Sequence, residues 1–286
     1  MKPHLFFLVC ISIFLTACDV IEKPILEQGV YRQDLYGPVP EFTQPSEPVQ
    51  NVLLEDFTGH TCGYCPIGNQ TASEILENHQ ERVSVLGIHS GSLGAPYPPQ
   101  YPGNWVTPEG TYYLMGQVGV DEMPKGRINR IPVAGTVFSP SVWATKVAAA
   151  LNATPLVGLQ LVASYSPEND HLNVHVNSHW FANAPGEYRL VILLIESGII
   201  APQLWYGHEP SEYVPDYEHN HMLRTSISGA TGLPVAIDPT TGQNKTNSFT
   251  INWNNNWIPE NCEVVAFITE GDTGPVLNST KQKLIE

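Results

Sequence analysis

A strand-like run, Val52-Leu-Leu-Glu-Asp-Phe57, passes through a polar turn into Cys62-Gly-Tyr-Cys65. Residues three apart are neighbours on the first turn of a helix, so the two cysteines share one face there. That spacing suits thiol–disulfide exchange, half of a zinc site, or a small structural disulfide. The stretch is a strand, a turn and a helix mouth, and the rest of the chain must be arranged around it.

The 286-residue chain exceeds the usual single-domain size, so two domains are the starting expectation. Its formal charge is −15, with 28 acidic against 13 basic residues. An acidic chain without basic clusters argues against nucleic acid as a partner and against electrostatic docking on anionic lipid. Twenty-five prolines and 23 glycines indicate a loop-rich, β-leaning protein.

The first residues carry a compartment signal. Met1-Lys-Pro-His precedes an apolar run from Leu5 to Ala17 that is too short to span a bilayer comfortably. Residues 1–17 read as a signal peptide. Leu15-Thr-Ala-Cys18 resembles the bacterial lipobox, which makes Cys18 the expected lipidation site and residues 18–50 a lipid-anchored tether. Pro24, Pro38, Pro40, Pro45 and Pro48 punctuate that tether, and Tyr31, Tyr36 and Phe42 are candidates to pack it onto the body. The expected location is the cell envelope, at the outer membrane, facing the periplasm or the surface. Of the five cysteines, Cys10 leaves with the leader and Cys18 is taken by lipid. A disulfide between Cys62 and Cys65 leaves Cys262 as a buried small hydrophobe without a role.

Residues 51–153 alternate strand and helix patterns. Val52–Phe57 and Arg82–His89 read as strands on either side of a helix that carries Ile67, Thr71, Ile75 and Leu76 on one side. This is a βαβ unit with parallel strands. Ser90–Asn104 is an insertion rich in Gly, Pro and Tyr. Thr107-Pro108-Glu109 starts a helix that runs to Val118. Met123-Pro124 is a candidate cis bond entering a strand. Ser139-Pro140 starts a last helix, Val142 to about Leu151. Residues 155–286 change to period two, with strands at 156–166, 171–180, 188–197, 249–253 and 264–269, and read as an all-β sandwich. Residues 200–247 read as long loops or an edge hairpin.

The order of elements and the Asp56, Cys62-Gly-Tyr-Cys65 and Pro124 positions resemble a thioredoxin fold over about residues 51–153. The expected fold class is therefore an α/β thioredoxin-like domain followed by an all-β sandwich-like domain. Thr61 stands where thioredoxins usually have tryptophan, and Pro66 follows the second cysteine. The whole chain is similar to the outer-membrane lipoproteins of Bacteroidetes-type bacteria named after a twenty-eight-kilodalton outer membrane protein. Val52-Leu-Leu-Glu-Asp-Phe-Thr-Gly with Cys-Gly-x-Cys-Pro, Gly119-Val-x-x-x-Pro-x-Gly-x-Ile-Asn-Arg130 and Tyr217-x-His-Asn-His-x-Leu-Arg224 carry that likeness. It implies location and architecture more than reaction.

The expected chemistry is thiol–disulfide exchange on exported proteins or with an envelope redox partner, without a cofactor. Cys62 is the exposed nucleophile and Cys65 the resolving thiol. Asp56 is the buried acid that serves Cys65. Glu55 faces the other side of the strand. His60 is placed to add positive charge near Cys62. Pro124 would present backbone to an extended substrate, with Tyr64, Met123, Tyr97 and Trp105 as candidate substrate contacts. The alternative is a surface or outer-membrane binding protein in which the Cys62–Cys65 disulfide is a staple. No metal is expected, since no second Cys-x-x-Cys and no suitably spaced cysteine–histidine pair follows. His171, His175 and His179 share one strand face at ~13 Å spacing and read as solvated. His219 and His221 read as a polar structural motif.

Overall fold

Strand β1, Val52–Thr58, is buried along its whole length, so its two faces must both be covered. The computed structural model describes residues 29–119, 122–133 and 135–285. Cys18 and the expected leader lie outside the described residues. Among the described residues ahead of β1 lies one helical turn, α1 (Gln33–Tyr36); after β1 come α2 (Cys65–His79), β2 (Val83–His89) and the short α3 (Gly91–Gly94). Then α4 (Pro108–Thr111) continues as a π-helical segment, Tyr112–Val118. The Thr107 hydroxyl accepts a hydrogen bond from the Gly110 amide at 3.0 Å, the cap expected of a Thr-Pro start. β3 (Lys125–Ile128) and α5 (Trp143–Ala150) complete the first region.

The second region is strands: β4 (Val157–Ser166), β5 (His171–Trp180), β6 (Glu187–Glu196), β7 (Ile199–Leu204), β8 (Tyr213–His219), β9 (Met222–Ser226), β10 (Leu233–Ile237), β11 (Asn244–Asn252), β12 (Cys262–Glu270) and β13 (Val276–Lys283). The largest sheet has the order β13-β12-β6-β9-β2-β1-β3, with β10 also paired to β6. β11-β5-β4 form a second sheet and β7-β8 a hairpin. The protein is thus mixed α/β, and the strands among the described residues lie in three sheets.

The change of pattern near residue 154 is not a break in the sheet. β1 and β2 are parallel, and β9 joins β2 through Gly87 and Met222, so strands of both regions share one sheet. Gly87 is needed at that junction. Its amide donates to the His221 carbonyl at 2.7 Å, and a Cβ there would sit 3.1 Å from the Asn220 oxygen.

Two readings are corrected. The hairpin expected in residues 200–247 is present as β7–β8, but the rest of the stretch is not long loops: it holds β9 and β10 of the largest sheet and the start of β11. Their alternation is masked because Pro202 and Pro234 lie at register shifts in β7 and β10, where a proline costs no ladder bond. The histidine face of β5 is also not solvated: His171 and His175 are buried. Tyr36 Oη meets His171 Nδ1 at 2.5 Å, and Tyr31 packs edge-on to His175 at 4.6 Å. Residues 31–36 cover the face that a lone sheet would leave wet.

Three apolar clusters follow from these layers. One joins β4, β5 and β11 to β6, β10 and β12, with Trp180 among the first group and Ile192, Leu194 and Val264 among the second. A second lies on the Leu53/Phe57 face of β1 and includes Leu193, Val265 and Phe267, binding the two regions together. The third packs α2 and α5 on Val52 and Leu54 through Ile75, Trp143 and Val147.

Candidate functional site

Period two in β1 sends Val52, Leu54 and Asp56 toward α2 and α5, and Leu53, Glu55 and Phe57 toward the other face. Two adjacent carboxylates therefore meet different surroundings. Glu55 is fully buried against Arg127 Nη2 at 2.6 Å and Arg130 Nη2 at 2.8 Å. Burial pushes its carboxyl upward, but the two guanidinium groups outweigh this and hold it below the usual value. The arginines are themselves stacked: Arg127 lies 5.2 Å from the Phe57 ring centre, and Arg130 5.0 Å from that of Tyr113. Sequence reading missed this cluster, although Arg127 and Arg130 lie inside the run that carried the family likeness.

Asp56 is 2% exposed and its Oδ1 has no hydrogen-bond partner. Burial pushes its carboxyl up to about 8, so it is mostly protonated at pH 7. The first turn of α2 approaches it closely. A Cβ on Gly68 would lie 3.0 Å from Pro124 Cβ, 3.3 Å from Trp143 and 3.5 Å from Asp56 Oδ1. Gly68 is thus the point where helix, proline and acid converge.

Cys62 and Cys65 form a disulfide, with Cα atoms 5.4 Å apart. α2 starts at Cys65, with Tyr64 as cap and Pro66 in its first turn. Cys62 precedes the helix, and its carbonyl accepts from the Cys65 amide at 3.2 Å. The Met123–Pro124 bond is cis, as the sequence suggested. An open groove of about 630 Å³ runs beside the pair and is lined by Tyr64, Ile67, Leu93, Met123, Pro124 and Lys125. Tyr64 and Met123 are thus in one place with Pro124. Tyr97 and Trp105 are not among this lining: Tyr97 pairs with Tyr101 in a small bridge, and Trp105 lies under the Arg224 guanidinium at 5.8 Å.

Two expectations about the cysteine loop change. Cys62 is not openly exposed, since only 5% of its surface is accessible. The strand end and turn after β7 lie across the motif. Leu204 N donates to the His60 carbonyl at 2.8 Å, Tyr206 N to the Gly63 carbonyl at 2.8 Å, and Gln203 Nε2 to the Cys62 carbonyl at 3.0 Å. The Tyr206 ring covers Gly63 so closely that a Cβ there would lie 2.5 Å from it. Gln203 and Tyr206 sit in the stretch whose local pattern was irregular, and no local signal marks them. His60 supplies no charge either. It is buried, its Nε2 lies 2.8 Å from the Ala95 carbonyl, and burial lowers its pKa from the usual histidine value.

Under the hairpin, His89 and His219 stack edge-on at 5.4 Å with no good hydrogen bond to either ring. Burial pushes His219 down to about 4, and burial with the neighbouring His219 and His60 places His89 well below its usual value. All three rings are neutral at pH 7. Among the described residues no group of three or more His, Cys, Asp or Glu side chains converges as a metal site. No helix among them is long and apolar enough to cross a membrane. Cys262 is a buried free thiol in β12.

The family profile of Outer membrane protein Omp28 matches residues 112–286. No curated protein matches the chain by sequence. Among solved structures the chain is similar to HBP35 of Porphyromonas gingivalis, with TM-score 0.61 and 19% identity over 84% of this chain and 77% of that one. A crystallised protein of Agrobacterium tumefaciens matches with TM-score 0.51 and 13% identity over 84% of this chain and 97% of that one. At those identities the likeness is one of fold.

Proposed function

We propose thiol–disulfide exchange on exported proteins as the function of this chain, which belongs to the Omp28 family of outer membrane proteins and so acts in the cell envelope. In this reading residues 51–153 are a thioredoxin-like unit. The support is the parallel β1-α2-β2 unit, the cysteine pair at the mouth of α2, and cis-Pro124 beside an open groove. The observation that carries the reading is Asp56: an unpartnered, protonated carboxyl whose Oδ1 would lie 3.5 Å from a Cβ on Gly68, in the first turn of the helix that starts at Cys65.

The reaction balances without any cofactor. A substrate thiolate attacks Sγ of Cys62 and forms a mixed disulfide. The Cys62–Cys65 bond breaks, and its electron pair goes to Sγ of Cys65, which takes the Asp56 proton. A second substrate thiolate then attacks the substrate sulfur of the mixed disulfide and releases Cys62. The substrate leaves oxidised, the protein keeps two reduced cysteines, and Asp56 regains a proton from solvent. Run backwards, the same steps reduce a substrate.

One observation favours a structural disulfide instead: the Gln203–Tyr206 segment closes over the motif. A redox assay with a model dithiol separates the two. Exchange is expected for the wild type, loss for Cys62→Ser, and faster exchange for Tyr206→Ala. If the wild type leaves the dithiol untouched and Tyr206→Ala does no better, the disulfide is a staple.

A further inference from the structure

A cavity of about 380 Å³ opens between α2, β2 and the β8–β9 turn, on the side of the molecule bearing Tyr217. It falls within the ordinary size range of small-molecule sites, about 300–1,000 Å³. The unpartnered, deeply buried Asp56 carboxyl lines it. Asn69 and Tyr217 form one wall, held together by an Asn69 Nδ2 to Tyr217 Oη hydrogen bond at 2.9 Å. Three exposed carboxylates, Glu74 and Glu77 from α2 and Glu218 from β8, also line it. The other two titratable groups there are neutral at pH 7: His221 is kept so by burial and by Lys281 and Lys283, its pKa pushed down to about 4, and burial raises the Tyr217 hydroxyl above its usual value. Among the described residues no cationic side chain lines the cavity. It therefore has acidic walls, acceptors at two depths, and a carboxyl whose hydrogen-bonding capacity is unused.

We propose that this cavity binds a small organic cation, a free primary amine or diamine, with one ammonium group on Asp56 and the other end among Glu74, Glu77 and Glu218. An ammonium supplies the donors that Asp56 Oδ1 lacks and the charge that the acidic walls attract. Binding at neutral pH is coupled to a proton. The ligand arrives as R–NH3+, Asp56 gives up its carboxyl proton to solvent, and the complex holds R–NH3+ against a carboxylate. Affinity therefore rises with pH toward 8 and levels off above it, because Asp56 then starts ionised. The site is defined in the oxidised protein and does not depend on the exchange reaction.

The test is calorimetric titration of 1,4-diaminobutane into the full-length oxidised protein at pH 7, in two buffers of different ionisation enthalpy. Saturable binding at about millimolar affinity is expected, with release of close to one proton per ligand. Asp56→Asn should abolish proton release and weaken binding about tenfold or more. Glu218→Gln, an exposed change that leaves the fold alone, should weaken binding about threefold. Tetramethylammonium, which has charge but no N–H donor, should bind at least about tenfold more weakly than the diamine. Absence of saturable binding overturns the proposal. So does binding without proton release, or binding left unaltered by both substitutions.

Discussion

Glu55 and Asp56 are neighbours in one strand, both buried, and chemically opposite. Glu55 faces the cluster shared by the two regions and meets two guanidinium groups. Asp56 faces α2 and meets none. The first is an ion held in place; the second is a protonated acid with an unused acceptor. Burial alone does not decide the charge of a carboxyl. The partners reached across the sheet do, and those partners differ because β1 shows alternate residues to alternate faces.

The largest effect expected from this contrast is the removal of the unpartnered acid. A carboxyl raised from 3.8 to about 8 on folding binds its proton more tightly in the folded state. Its contribution to stability is full below the unfolded value and is lost as pH rises toward 8. The loss is roughly 1.4 kcal/mol per pH unit across that window, on the order of 6 kcal/mol in all. Asp56→Asn should remove this slope and leave a protein more stable than wild type at pH 8 in urea unfolding. A parallel slope in both proteins would mean that Asp56 is paired after all.

Glu55→Gln breaks the other side of the comparison. It leaves two buried guanidinium groups with no carboxylate, which costs about 3–5 kcal/mol. Urea unfolding at pH 7 should show that loss, in the opposite direction to Asp56→Asn. A change under about 1 kcal/mol would show that the aromatic rings around the arginines carry them unaided.

His219 offers a third kind of buried group, a base kept neutral. Its contribution is present above the ordinary histidine value of 6.5 and is lost as pH falls toward about 4. At pH 5 that is about 2 kcal/mol. The hairpin over the cysteines should loosen first, so the Leu204 and Tyr206 amides should exchange faster at pH 5 than at pH 7. Equal protection at both values would place the histidines' effect elsewhere.

Gly68→Ala should have the smallest effect. The helix gains about 1 kcal/mol from the better helix former. Against this, the new methyl meets Pro124 at 3.0 Å and Trp143 at 3.3 Å, overpacking that costs about 1–3 kcal/mol. A net loss of about 1 kcal/mol is expected by thermal unfolding.

Local pattern was enough to place β1, α2 and β2, the Thr107 cap and the cysteine pair, because each depends on residues close in the chain. It was also enough to separate Asp56 from Glu55 by face. It failed at His171 and His175, whose alternation is real but whose solvent is replaced by Tyr36 and Tyr31. It failed again at Cys62, which is covered by residues more than a hundred positions away. Prolines in β7 and β10 hid short strands whose register only pairing reveals.

The amino-acid sequence by itself determined the helix mouth with its two cysteines, the alternation that sends two carboxylates to opposite faces, and the Omp28 family to which the chain belongs. The tertiary structure alone decided that Glu55 is ionised, that Asp56 is protonated, that the hairpin closes over Gly63, and that both regions share one sheet. The reason is physical. Periodicity follows from the geometry of a few residues, whereas a group's charge and exposure depend on the field and surface supplied by whatever the chain folds against it.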